Sequence, residues 1–321
     1  MNSSRIATWF LLLCLFSFVS FSIISCSGDN GGESCGDGHK DGTEQCDGDD
    51  LGDLTCASFQ EGAMGKLKCG SNCVLSGEEC LFQDDQSGGP MASCQSGDIC
   101  IGENNIIGET DWIDASLLPD GPQRYNASAS GQISVRIDGT SYNCSATIID
   151  QDLVLTNHHC SPDAASAGTV RFFPTAYNGV SRAQRLIDSF SCPTLVATDC
   201  GRDASILRCL VHPATGLLPG DAYGVATLSL SEITSLEQIY LVHVNCDYRV
   251  APCTPNKVVS PGIVNEFEAL CAVPGPLGFC ADCRGITPMI ANTCDSLRGS
   301  SGGGIFDAMT HRLVGFNWGA E

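Results

Sequence analysis

His159 stands directly before Cys160, at the end of two apolar runs joined by a turn between Cys144 and Cys160. A disulfide from Cys144 to Cys160 would pin that imidazole at a strand end, and a general base needs such a fixed position. His158 is its rival by adjacency. Far downstream, Ser301 lies in Gly299-Ser300-Ser301-Gly302-Gly303-Gly304. A serine flanked by glycines sits on a tight turn. Its hydroxyl faces outward and nearby backbone N–H groups can point at one place, which are the needs of a nucleophile with an oxyanion hole. Between them, Asp203 opens the apolar stretch Ala204-Ser205-Ile206-Leu207. Buried there, a carboxylate can accept the imidazole N–H, fix its tautomer and stabilise the imidazolium.

Such groups must be carried by rigid elements. From Ile101 onward the chain reads as short apolar runs separated by turn residues, among them Gln132–Ile137, Ala146–Ile149, Leu153–Thr156, Thr169–Phe173, Ala204–Leu210, Ile239–Val244 and Arg312–Phe316. Each is rich in Val, Ile, Leu or Phe, and no long helical period intervenes. This pattern predicts an antiparallel all-β barrel or sandwich. Hydrophobic residues make up 43% of the 321, enough for a packed core, and 36 glycines with only 17% charged residues suit strands and loops. Acidic residues outnumber basic ones 37 to 16, for a net charge of −21. Nucleic-acid binding needs cations to displace phosphate counterions, so no nucleic-acid partner is expected.

The order His, Asp, Ser resembles that of trypsin- and chymotrypsin-like serine peptidases. The family's T-x-x-H-C falls on Thr156 to Cys160, its D-x-x-L-L on Asp203 to Leu207, and its G-D-S-G-G on Gly299 to Gly303. Its W-G strand, which pairs with substrate backbone, falls on Trp318-Gly319. The likeness runs from about Ile106 to Gly319. Ile106-Ile107-Gly108-Glu109-Thr110-Asp111 and Cys294 to Ser301 look like the bacterial glutamyl-endopeptidase branch. The resemblance implies a double antiparallel β-barrel and a hydrolase of protein or peptide substrates. Ser301 would be the nucleophile, His159 the base, Asp203 its orienting partner, and the Gly299 and Ser301 N–H groups the oxyanion hole. It implies no cofactor and no metal.

Departures from the family pattern bear on regulation and specificity. Ser300 stands where the family usually has an Asp that, in animal members, pairs with a new N-terminal amine after activation cleavage. That switch cannot operate here as such. Gly304 replaces a common Pro. Asp295, six residues before Ser301, matches the carboxylate that selects Lys or Arg in trypsin, which implies cleavage after basic residues. The bacterial branch often has Asp there without that specificity. Glu-specific relatives place a His on the strand ending at Trp-Gly, where this chain reads Gly315-Phe316-Asn317.

The N-terminal third has another texture. Residues 1–26 read as a secretory signal, with one basic residue, Arg5, before the apolar run Ile6 to Ile24. Its end, Ile23-Ile24-Ser25-Cys26, resembles a bacterial lipobox, which implies lipidation of Cys26. Residues 27–82 form an acidic module. From Ser27 to Cys100 there are 15 acidic residues and three lysines. Cys35, Cys46, Cys56, Cys69, Cys73 and Cys80 can staple a segment too short to build its own core, with 15 pairings open. Their spacing resembles a short cysteine-rich repeat of myxobacterial secreted and surface proteins. Asp47, Asp49, Asp50 and Asp53 either hold Ca²⁺ through hard oxygen ligands or form a solvated acidic face. Residues 83–100 read as a Gly/Ser/Pro-rich linker, and 101–321 as the peptidase domain. Cys280-Ala281-Asp282-Cys283 reads as disulfide-forming, since no second ligand pair with zinc spacing accompanies it.

Twenty-one cysteines imply an oxidising compartment. The expected location is exported, as an outer-membrane or cell-surface lipoprotein or else secreted, with membrane contact only through the signal or lipid anchor. The alternative function is an inactive peptidase fold acting as a surface binding or adhesion lipoprotein. The family continues past Trp-Gly with a further strand and a closing helix, so residues 101–321 are expected to be an incomplete domain. Without Cys14 and Cys26 the cysteine count is 19, an odd number that also implies a missing partner.

Overall fold

The structure is a computed structural model, and it describes residues 35–40, 42, 44–81, 104–105, 111–231, 233–246, 255–268, 289–297 and 299–318. The signal, Cys26, the linker, Cys280-Cys283 and Gly319 lie outside the described residues. The chain clusters into two units, Met1–Ser34 and Cys35–Glu321, and every described residue belongs to the second.

The fold is all-β, built on two antiparallel sheets. The first holds β1 (Ser130–Ile137), β2 (Thr140–Asp150), β3 (Leu153–Thr156), β4 (Arg171–Phe173), β5 (Phe190–Ser191), β6 (Thr194–Asp199) and β7 (Ala204–Arg208), in the order β5-β4-β1-β2-β3-β7-β6. The second holds β8 (Gln238–Cys246), β9 (Pro255–Glu268), β10 (Met289–Asn292), β11 (Gly304–Asp307) and β12 (Leu313–Phe316), in the order β10-β9-β8-β11-β12, with the short Ile113–Asp114 strand also paired to β9. Helices are brief, the longest described being Pro122–Ser128.

Each sheet curls around its own apolar cluster. Ile133, Val135, Ala146, Ile148, Val154, Phe172 and Leu207 fill the first. Strand β8 is buried on both faces: Tyr240 and Val242 join one cluster with Val259 and Phe306, while Ile239 and Leu241 join another with Val264. From Ile239 to Asn245 every side chain is buried, which is why the strand centre, Ile239 to Val242, is an unbroken run of apolar and aromatic residues. Tyr240 and Phe306 stack at 5.3 Å between centroids.

Two polar ties join the sheets. Ser145 on β2 accepts the Val244 N–H at 2.9 Å and donates its hydroxyl to Gly299 O at 2.8 Å. Lys257 on β9 is fully buried, donates to Ala127 O at 2.8 Å and Pro174 O at 2.5 Å, and lies 4.3 Å over the Tyr177 ring. Burial pushes its ammonium down to about 7, while the two carbonyls and the ring face supply the partners a buried cation requires.

The cysteine module pairs Cys35–Cys73, Cys46–Cys69 and Cys56–Cys80. Its core holds Phe59, Leu67 and Leu75 and also Ile187 and Ala214 of the first-sheet region. Phe59 lies 6.1 Å from the His212 ring, which meets Phe190 edge-on at 5.4 Å. His212 is itself buried, with Nε2 2.6 Å from Ile187 O. So small a module completes its core against the barrel. Within it, Asp47 accepts the Gly36 and Asp37 N–H groups at 2.7 and 2.9 Å, and Asp50 accepts those of Lys40 and Gly52 at 2.9 and 3.0 Å. These carboxylates organise the loop backbone. The donated N–H groups hold the Asp50 carboxyl below its ordinary range.

Candidate active site

The site forms at the seam between the sheets. Strand β3 ends at Thr156, and the turn after it carries Asn157, His158, His159 and Cys160. Cys144 on β2 and Cys160 are bridged. Strand β7 pairs with β3, Ser205 opposite Thr156, so the residue before β7 arrives beside His159.

That residue is Asp203, and five hydrogen bonds seat it, one of them from its own N–H to Cys200 O at 3.1 Å. Its Oδ2 lies 2.7 Å from His159 Nδ1 and its Oδ1 accepts the His159 N–H at 2.8 Å. Its carbonyl accepts the His158 N–H at 2.9 Å and the Asn157 amide at 3.1 Å. Asp203 has φ +49°, in the left-handed region that Asp tolerates better than most residues. An ionised carboxylate on Nδ1 selects the tautomer with the proton there, which leaves Nε2 free to accept one. The His159 side chain is 33% exposed and that of Asp203 14%, so the imidazole reaches solvent while the carboxylate is sheltered. His158 turns the other way, Nδ1 lying 2.6 Å from Thr198 Oγ1 on β6. Geometry thus separates the two adjacent histidines.

The glycine-rich loop packs on this frame. The Ser145 N–H donates to Ser301 O at 2.7 Å. Gly302 has φ +84°, and a Cβ there would come within 2.2 Å of Ser145 O and 2.5 Å of Thr156 Oγ1. Only glycine lets the loop lie this close to the strands before His159. Gly299 likewise has φ +93° and packs against Val244 O. Among the described residues, none accepts a hydrogen bond from the Gly299 or Ser301 N–H. The Ser301 hydroxyl donates to Trp318 O at 3.3 Å, not to His159. Catalytic hydrogen bonds commonly tighten only with substrate present.

Asp295 is 1% exposed. Its carboxylate accepts the Asp111 N–H at 3.2 Å, and its own N–H donates to Ser260 Oγ at 2.7 Å. Desolvation, then the charge of Asp295, raise the Asp111 carboxyl. Cys144, His159 and Cys160 lie close together, but the bridge removes both thiolates that a metal would need. Sequence reasoning did not single out Thr198 or Ser145, and it named Asp111 and Asn317 only as parts of family segments, with no role in holding the site. None carries a local signature, and each matters through what the fold brings to it.

Beneath the loop lies His243 on β8, 1% exposed, where a Cβ on Gly303 would come within 2.8 Å of its Cβ. Among the described residues neither ring nitrogen has a partner at full hydrogen-bond geometry, though the Asp295 main chain lies near enough to act weakly on the ring. Burial pushes its pKa down to about 3, well outweighing the opposing effect of the Asp295 main chain, so the native ring is neutral. The unfolded chain takes up the proton near the ordinary value of 6.5. The stabilising contribution is therefore complete above about pH 6.5 and is lost as pH falls toward 3. His212, also lowered by burial, acts in the same direction. Thermal unfolding at pH 7 and pH 4 is expected to show marked acid loss, and His243→Met should flatten that slope. Equal slopes for the variant and the parent would refute the assignment.

A stretch of 49 residues, 15% of this chain, is 45% identical to the acetylcholinesterase collagenic tail peptide of Torpedo marmorata; the chain spans only 10% of that relative's length. Among solved structures, similarity extends to a Glu endopeptidase in complex with MPD (15% identity, 66% of this chain and 86% of that one, TM-score 0.45). It also extends to the Rv3671c protease of M. tuberculosis in its active form (18% identity, 65% and 77%, TM-score 0.42). The family model described as trypsin-like peptidase domain matches residues 144–316, more than half of the chain, and the chain belongs to that family.

Proposed function

We propose that this chain is an exported serine endopeptidase that cleaves peptide bonds through an acyl-enzyme at Ser301. The observation that carries the reading is the 2.7 Å pairing of His159 Nδ1 with the Asp203 carboxylate, beside a glycine-rich loop whose backbone is bonded to Ser145. Ser301 Oγ attacks the scissile carbonyl carbon and its proton passes to His159 Nε2. The Gly299 and Ser301 N–H groups bind the developing oxyanion. His159 then returns the proton to the leaving amine, the C–N bond breaks, and an ester remains on Ser301. Water, deprotonated by His159, hydrolyses that ester and restores the hydroxyl. Asp203 stays ionised throughout and stabilises the imidazolium.

The test is fluorophosphonate labelling of the exported protein, with the adduct mapped by mass spectrometry, beside cleavage of a broad peptide library. Labelling at Ser301 and cleavage together are the expected result; a protein that does neither is not a peptidase. The residue before each cut reads out whether Asp295 selects basic side chains.

The proposed location is the outer membrane, through a lipid on Cys26. Five disulfides among the described residues fit an oxidising compartment. Cys26 is followed by Ser27 and not by Asp. The mature protein is expected to partition into detergent, and Cys26→Ala to release it into the aqueous phase. An unmodified N-terminus by mass spectrometry would rule out the anchor.

A further inference from the structure

We infer that Asn317 is a positioning residue for the Ser301 nucleophile, acting through the buried hydroxyl of Ser300; the inference rests on the peptidase reading above. Asn317 follows β12 and is 6% exposed, while Ser300 is 1% exposed. Three hydrogen bonds join Asn317 to the loop. Its Nδ2 donates to Ser300 Oγ at 2.9 Å, its carbonyl accepts the Gly302 N–H at 2.8 Å, and its N–H donates to Gly303 O at 2.8 Å.

These bonds bracket Ser301. The residue before it is held by its side chain, and the two after it by their backbones. The Gly303 N–H also donates to Ser300 O at 2.8 Å, which closes the turn on itself. Ser301 O is tied in turn to the Ser145 N–H. The loop is therefore fixed on one side by β2 and on the other by Asn317, and the direction of the Ser301 N–H follows from both.

The chemistry of the pair suits this work. A hydroxyl offers one donor and two acceptor sites, and a primary amide offers both kinds of partner. If the amide is reversed, the Ser300 hydroxyl donates to Oδ1, so the contact survives either orientation. Both groups are neutral, so burying them avoids the large desolvation cost of burying an ion pair. Ser300 stands where the family pattern has a carboxylate seeking a cationic partner. Here a neutral pair within the peptidase domain holds the same stretch of loop.

The test measures, on the full exported chain, the second-order rate of fluorophosphonate labelling at Ser301, kcat and KM on a cleaved peptide, and Tm. Asn317→Ala retains both main-chain bonds and removes only the side-chain donor. Its labelling rate and kcat are expected to fall on the order of 10- to 100-fold, the scale of a small misplacement of a reacting group. KM should hold within about twofold, because the change acts on the nucleophile and not on uniform binding. Ser300→Ala should produce a similar fall, and the double variant no further loss, because the two act as one unit. Asn317→Asp can accept from the Ser300 hydroxyl but buries an unpaired charge, so it should not restore the parental rate. A wild-type chain that is neither labelled nor active overturns the peptidase reading itself. A labelled wild type whose Asn317→Ala and Ser300→Ala variants react at its own rate overturns only the positioning role, as does a double variant whose losses multiply. If Asn317→Ala does not fold, Ser300→Ala decides the question by the same criteria.

Discussion

Ser301→Ala is expected to abolish fluorophosphonate labelling and to lower kcat by on the order of 10⁴-fold or more, with Tm nearly unchanged. The two halves of this expectation have separate causes. Among the described residues the Ser301 hydroxyl makes one hydrogen bond, to Trp318 O at 3.3 Å, which is long for an O–H donor. The bonds that shape the loop are made by the Ser301 carbonyl, by Ser300, and by Gly302 and Gly303, and all of them survive the substitution. Stability should therefore change little, while the only atom that can form the acyl ester is gone. Residual turnover would come from the oxyanion donors and substrate binding alone. His159→Ala should produce a loss of similar size, because residues that act as a unit fail together. Proteolysis by Ser301→Ala at the parental rate would sink the nucleophile assignment, and with it the family mechanism for this chain.

Asp203→Asn tests a different link, the tautomer of the base. It is expected to lower kcat by on the order of 10³- to 10⁴-fold at neutral pH with KM little altered. In the parent, one carboxylate oxygen accepts the His159 main-chain N–H at 2.8 Å and the other faces Nδ1 at 2.7 Å. An asparagine would keep its oxygen on the main-chain N–H, since only an acceptor satisfies that donor. Its NH₂ must then face Nδ1, which forces Nδ1 to be an acceptor and moves the ring proton to Nε2. An imidazole protonated on Nε2 cannot take the serine proton. The carbonyl of residue 203 still receives the His158 and Asn157 donors, so the local fold should persist. NMR of the imidazole nitrogens reports the tautomer directly. An Nδ1-protonated ring in Asp203→Asn, or a rate close to the parent, would contradict this account.

Much of the architecture was legible because it is written locally. The runs around Gln132–Ile137, Leu153–Thr156 and Ile239–Val244 are of strand length and rich in Ile, Val and Leu, and they lie in β1, β3 and β8. Less legible was β9, whose 14 residues include Pro261 and Gly262. Both normally argue against a strand interior. Here Pro261 sits opposite Tyr240, and a Cβ on Gly262 would come within 2.6 Å of Cys294 Sγ, so a close approach of buried chain requires the glycine. Strand β6 was equally hidden, because it is a sheet edge with mostly exposed side chains and has no apolar period to reveal it.

The sequence by itself determined the residue types with chemistry and their order: a histidine beside a cysteine, an aspartate opening a strand, and a serine between glycines. Those signals are local, since a tight turn needs glycine wherever it occurs and a strand needs its apolar run. The family resemblance chose His159 over His158, but only the tertiary structure places each ring: the β3–β7 pairing brings His159 to Asp203, while His158 turns to Thr198. It likewise selected one pairing for the six module cysteines, seated the module's Phe59 against His212, and brought Asn317 to Ser300 across 17 residues. Each of these is a contact between segments distant along the chain. Its energy exists only once the sheets have closed, so no window of sequence can carry it.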